Sequence, residues 1–230
     1  MELIWDGLRT ALALMVRLDR EVLAISGLTL RVSGLATAAA LALGLLTGAA
    51  LALGRFPGQR FLQSVINAGM GLPPVVVGLG VSLLLWRSGP LGWLRLMYTP
   101  AAMVLAQFLI AYPVMAGLSA AALQQVGPGF RLQVEAMGAS RVQLLSAMLW
   151  EARYGVLGAV IASFGSVISE VGASMMVGGN VVGQTRVLTT AIVLEVNRGN
   201  FDMAIALSLI LLGLTYGAAA ALTLIQQRKR

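Results

Sequence analysis

Apolar residues collect in five stretches, near positions 32–54, 61–86, 100–123, 154–177 and 203–225, separated by shorter polar segments. About 20 helical residues cross the roughly 30 Å of hydrocarbon in a bilayer, and each stretch reaches that length. None alternates as a barrel strand does, and in lipid the remaining way to satisfy a backbone internally is a helix. The pattern predicts an all-α, polytopic membrane helix bundle of five transmembrane helices, in a single domain over 1–230. Ahead of it, residues 3–18 set Ile4, Leu8, Leu12 and Met15 against Asp6, Arg9 and Arg17, with Trp5 near the start. That spacing predicts an amphipathic helix lying in the interface.

The polar interruptions carry the chemistry. In residues 124–153, Gly138 can take the left-handed conformation that ends a helix, and Ser140 can cap the next one. The second helix would set Val142, Leu145, Leu149 and Ala152 on one face, with Arg141, Gln143, Glu151 and Arg153 mainly around the rest. Such a corner can press on another protein or pack on its own bundle. In the second span, Pro73-Pro74 removes two backbone donors and predicts a kink that either lines a pathway or merely adjusts packing. Span three carries Gln107 and Pro113, a second expected kink. Glu170, sixteen residues beyond Tyr154, falls about 24 Å along the fourth span, near its far face. An ionisable group there is costly, and it either serves the pathway or pairs with Arg186 at the interface. Residues 178–202 then form a polar outer loop with a short helix expected over 187–196. Its Asn180, Thr185, Arg186 and Thr189 can meet an oxyanion or close the outer mouth.

Composition narrows the function. Hydrophobic residues make up 58% of the 230 positions and charged ones 11%, against about a quarter charged in soluble domains. Gly44/Gly48 and Gly213/Gly217 are small pairs that permit close helix approach. The formal charge is +7, but the basic residues are scattered, so nucleic acid is not indicated. There is no Cys and no His, which removes thiol chemistry, the usual metal ligands and the commonest general base. Lys229 is the only lysine, so a GxxxxGK[ST] nucleotide loop is absent. With Glu170 and Glu195 almost the only outer-side acid–base candidates, an enzyme is not indicated. A channel working without nucleotide stays open. Met1 to Leu18 contains Glu2 and Asp6 and no clean apolar core, so no cleavable leader is expected. If 124–153 is cytoplasmic, basic residues number eight on each side. The tail Arg228-Lys229-Arg230 then favours a cytoplasmic C-terminus.

The central loop resembles the cytoplasmic signature of ABC-importer permease subunits. Gly138-Ala139-Ser140 fits its glycine corner, although Leu132-Gln133-Val134 stands where that signature has Glu-Ala-Ala, and Trp150-Glu151 where it has Leu-Pro. Glu135-Ala136 lies three residues later. Over nearly its whole length the chain is similar to the tungstate-type permeases, which are related to molybdate permeases. The matching stretches are Gly71 to Leu79, Gly89 to Gly92, Thr99 to Met103, Trp150 to Arg153, Ile168 to Ala173, Val177 to Asn180 and Thr185 to Ile192. The resemblance implies a type I importer permease fold in a bacterial inner membrane, with the N-terminus outside and the C-terminus in the cytoplasm. It implies a homodimer, two ATPase subunits that bind the ATP and Mg, and an extracytoplasmic oxyanion-binding protein. This chain would itself hold no cofactor. Arg131, Glu135, Ala136, Gly138, Ala139, Ser140, Arg141, Glu151 and Arg153 would couple to the ATPase. Pro73, Pro74, Ser169, Glu170 and Gly172 would shape the pathway or gate, and Asn180, Thr185, Arg186 and Thr189 its outer mouth. The cargo would be tungstate, or else molybdate, sulfate or another small anion.

Overall fold

The computed structural model describes Trp5, Arg9, Thr10 and residues 19–227, with side chains as far as 224. Trp5, Arg9 and Thr10 are helical; the rest of the expected 3–18 helix, and the tail from Arg228, lie outside the described residues. What is described is helix and connecting turn, without strand.

Helix α1 (Arg20–Leu53) begins well before position 32. Asp19 caps it, its carboxylate accepting from the amides of Glu21 and Val22 at 3.0 Å. Polar Glu21 and Arg31 stay exposed while Val22, Ile25, Thr29 and Val32 are buried. An amphipathic lead-in therefore continues the apolar span as one helix.

The expected second span is two helices, α2 (Gln59–Met70) and α3 (Pro74–Leu85), bent by 105°. Pro73 is the N-cap of α3 and Pro74 its first residue, where a missing N–H leaves no helical bond unmade. The prolines therefore start a helix rather than kink one. After a short turn at Gly92–Leu94, Thr99 caps α4 (Pro100–Gln124). This helix runs unbroken through Pro113, so the expected second kink does not interrupt it. Then come α5 (Pro128–Ala136), α6 (Arg141–Glu151) and α7 (Arg153–Ile168). The expected fourth span, 154–177, breaks at 169–171 into α7 and α8 (Gly172–Gly178). The chain ends with α9 (Leu188–Asn197), close to its expected 187–196, and α10 (Phe201–Gln227). Among the described residues three helices, α1, α4 and α10, are long and apolar enough to cross a membrane alone. The pairs α2–α3 and α6–α7 meet the same measure only together.

Helix α4 is the centre of the bundle. It lies along α1, where a Cβ on Gly44 would sit 2.9 Å from Met115 Cβ and one on Gly48 would sit 2.8 Å from the Ala116 carbonyl oxygen. Thr47 and Tyr112 hydroxyls join the same helices at 2.8 Å. Gly213 and Gly217, by contrast, have nothing within 4 Å of an added Cβ, so that pair brings no helix close within the chain. At one end of α4, Ala102, Met103 and Ala106 pack with Val32, Val81, Ala173 and Val177. At the other, Ala122 and Leu123 pack with Ala49, Met148 and Ala152, which fixes α6 to the bundle.

Candidate functional site

The corner between α5 and α6 is wired through its backbone. Gly138 has φ +79°, its N–H donates to the Glu135 carbonyl at 3.0 Å, and the Ala139 N–H donates to the Val134 carbonyl at 3.4 Å. This is the paired bonding of a Schellman stop, which needs a residue comfortable at positive φ. Ser140 then opens α6 reciprocally: its N–H donates to Gln143 Oε1 at 2.8 Å and its hydroxyl accepts from the Gln143 N–H at 3.4 Å. Two helix ends are thus satisfied within a few residues, and the angle between α5 and α6 is set locally.

What the corner presents is apolar. No residue of α5 is buried. Leu132, Met137 and Val142 are 65%, 79% and 76% exposed. Val142, expected on one face with Leu145, Leu149 and Ala152, is exposed while those three are covered or partly covered; α6 packs through Met148, with Leu144, Leu145 and Leu149 partly covered. Beside the apolar tip Ala136 and Arg141 are exposed and Ala139 is partly covered, while Glu151 is exposed at the far end of α6. Arg131 and Glu135 form an exposed ion pair at 2.9 Å, worth only about 0.3–0.5 kcal/mol. Arg153 is occupied differently: its guanidinium donates to the Trp150 carbonyl and lies over the Trp150 and Tyr154 rings, 4.9 and 4.4 Å from their centroids. It locks the α6–α7 joint, where the chain bends by 68°.

A second constellation forms where α3 and α8 begin. Glu170 Oε1 accepts from the Ala173 N–H at 2.9 Å, capping α8, and the Glu170 carbonyl accepts from the Thr189 hydroxyl at 3.0 Å. Ser169 donates to the Gly165 carbonyl at 2.9 Å, closing α7. A Cβ on Gly172 would lie 2.7 Å from Val75 Cγ2, and one on Gly78 would lie 2.6 Å from Ala173 Cα. Hence Pro73, Pro74, Ser169, Glu170 and Gly172, distant in sequence, meet where two short helices start side by side.

The outer-loop residues are mostly committed to the loop itself. Thr185 is fully buried, donating to the Gly178 carbonyl and accepting from the Val181 N–H. Asn180, at φ 52°, donates to the Thr190 carbonyl at 3.4 Å. Arg186 reaches Glu21 at 3.3 Å, not Glu170. Spacing along the chain gave no sign of that long-range pair, nor of Thr29, whose buried hydroxyl accepts from the Leu188 N–H and starts α9. The exposure of the apolar tip residues Leu132, Met137 and Val142 was likewise missed, since a hydrophobe near a helix stop does not show whether anything covers it.

Residues 24–230 match the family described as "Binding-protein-dependent transport system inner membrane component". The chain belongs to that family. It is 43% identical over 204 residues to a probable anion ABC transporter permease protein of Haloferax volcanii, covering 86% of this chain and 88% of that one. It is 37% identical to the tungstate uptake system permease TupB of Peptoclostridium acidaminophilum, covering 99% and 100%. More distant is the molybdenum transport permease ModB of Escherichia coli, 27% identical over 71% of this chain and 75% of that one. The fold matches a chain of the MetNI methionine ABC transporter in an inward-facing form, with TM-score 0.72 over 94% of this chain and 97% of that one, at 21% identity. As an ABC-importer permease subunit the chain is a transport component, consistent with a corner that offers contact surface rather than reacting groups.

Proposed function

We propose that this permease carries a small tetrahedral oxyanion, tungstate in the first place, by alternating access driven by a separate ATPase. Support for the cargo comes from the tungstate relatives, 37% and 35% identical with near-complete coverage. Sulfate relatives are more distant, at 24–29% over about three-quarters of the chain or less. Two copies of the chain form the pathway, each meeting one ATPase subunit through the α5–α6 corner. An extracytoplasmic binding protein delivers the anion to the opposite mouth, so the N-terminus lies outside and the C-terminus in the cytoplasm. ATP and Mg belong to the ATPase.

The observation that carries this reading is the corner, held in shape by its own backbone while exposing Leu132, Met137 and Val142. Three uncovered apolar side chains around a rigid turn suit a pocket on a partner better than a solvated loop. Closure of the ATPase pair would push this corner. Helix α7, of 16 residues, relays the push over about 24 Å to the break at 169–171. There Glu170 holds α8, which lies against α3, so a tilt of α7 shifts the two helix starts relative to each other. Selection is left largely to the binding protein, and the permease supplies the gate.

Mild-detergent purification at native expression tests the reading. An ATPase recovered at about one per chain, and strongly depleted with Gly138→Val, is the expected result. If no ATPase is retained under conditions that hold comparable complexes together, the corner is not the ATPase contact and the reading fails.

A further inference from the structure

At the end of α4 opposite the coupling corner, the segment joining α3 to α4 encloses a cleft of about 790 Å³ lined by Trp86, Arg87, Trp93, Arg95, Met97 and Tyr98. The segment is unusually fixed for a loop. Leu91 N–H donates back to the Leu84 carbonyl at 2.9 Å, and Gly89 and Gly92 pass so close to α3 that an added Cβ would sit 2.2 Å from the Leu83 and Trp86 carbonyl oxygens. Arg95 and Tyr98 both adopt positive φ, 51° and 62°, a cost that side-chain-bearing residues bear only where the surroundings impose it. Tyr98 is pinned by its N–H to the Val177 carbonyl of α8 at 2.9 Å, with its ring against Gly179.

Two guanidinium groups thus stand on a rigid frame. Among the described residues neither Arg87 nor Arg95 has an ion pair or hydrogen-bond partner, and no acidic side chain lines the cleft. This differs from Arg186, which Glu21 neutralises. Trp86, Trp93 and Tyr98 are half to three-quarters exposed, beside exposed Leu83 and Leu84, the composition of a membrane–water interface.

We propose that this cleft binds a tetrahedral oxyanion between Arg87 and Arg95. Guanidinium forks match such a group by paired, charge-assisted hydrogen bonds, and both arginines are exposed, within reach of an anion arriving from solvent or from a headgroup. Two sources present that chemistry: the phosphate of an anionic lipid headgroup, and a dissolved oxyanion such as tungstate or phosphate. The proposal goes beyond the permease reading and does not depend on which anion crosses. Through Tyr98 an occupied cleft also bears on α8, the helix that Glu170 caps.

The chain's four tryptophans supply the probe. Trp5→Phe with Trp150→Phe leaves Trp86 and Trp93, both at the cleft, as reporters. The full chain in phosphatidylcholine nanodiscs is titrated with sodium tungstate and with sodium phosphate. A parallel series replaces part of the lipid with phosphatidylglycerol. The proposal expects a saturable change in emission, weakened at least about tenfold by Arg87→Gln or Arg95→Gln and lost in the double variant. Arg87→Lys with Arg95→Lys keeps part of it. Saturation by dissolved anion in neutral discs identifies a free oxyanion as the source; a change only with phosphatidylglycerol identifies the headgroup. An absent response to both, or one that survives the double variant, overturns the proposal. So does an arginine-dependent response to the purified binding protein alone, which would make the cleft a protein-docking surface. Retained ATPase co-purification in the double variant keeps this result separate from the permease reading.

Discussion

Replacing Gly138 tests the corner quantitatively. Its φ is +79°, and a Cβ added there would meet nothing within 4 Å. The cost of a side chain is therefore backbone strain and not collision, about 1–2 kcal/mol for Ala in the left-handed region. Asn tolerates that region better, and a β-branched residue tolerates it worse. No residue of α5 is fully buried, and its contact with the core is through the partly buried Phe130, so strain of that size shifts the corner itself. One or two kcal/mol is a factor of about 5–30 in the ratio of correctly formed to displaced corner. Gly138→Ala should weaken ATPase binding by that factor, Gly138→Asn by less and Gly138→Val by more. The thermal midpoint of the bundle should barely move, because the α1–α4 packing lies elsewhere. Titrating the detergent-solubilised permease with purified ATPase measures the series. Equal binding across Ala, Asn and Val, or Asn as weak as Val, would refute the reasoning.

Other positions give equally specific expectations. Glu170→Gln keeps an oxygen to accept the Ala173 amide and should retain uptake, whereas Glu170→Ala loses the cap, at about 0.5–2 kcal/mol, and should let α8 fray. Uptake lost in the Gln variant would show that charge matters, not capping. Gly48→Ala forces a Cβ to within 2.8 Å of the Ala116 carbonyl oxygen and should destabilise the bundle by about 1–3 kcal/mol. Gly213→Ala, where an added Cβ meets nothing within 4 Å, should stay within about 0.5 kcal/mol; thermal unfolding in detergent compares the two. Thr29→Val strands the buried Leu188 amide at about 1–3 kcal/mol, which Thr29→Ser avoids; hydrogen exchange at the start of α9 reads it out.

Local chemistry made some of this legible from residues alone. Gly138 and Ser140 announce a helix stop and a helix start because each acts on amides within a few residues. Thr99-Pro100 likewise marks the start of α4. Continuous hydrophobicity hid what it could not distinguish. Residues 154–177 read as one span because Glu170 is its only charged position, yet Ser169 closes one helix and the Glu170 carboxylate caps the next. Spacing put Val142 on one face with Leu145, Leu149 and Ala152, but spacing fixes which residues share a face, not which part of it has a neighbour. Contacts across long separations, Arg186 with Glu21 or Thr29 with Leu188, leave no trace in any local pattern. The Arg87–Arg95 cleft is of the same kind, since only the folded loop brings its aromatic wall and two guanidinium groups together.

The central claim is that ATP hydrolysis by a partner, acting through the α5–α6 corner, drives oxyanion uptake. Proteoliposomes containing this chain, its ATPase and its binding protein, loaded with ATP or left empty, test it most directly with radiolabelled tungstate outside. Uptake that requires internal ATP and the binding protein, and that falls with the Gly138→Ala, Asn and Val series in the order of ATPase binding, is the predicted result. Tungstate entering empty liposomes at the same rate, or a Gly138→Val variant transporting normally, would contradict the account.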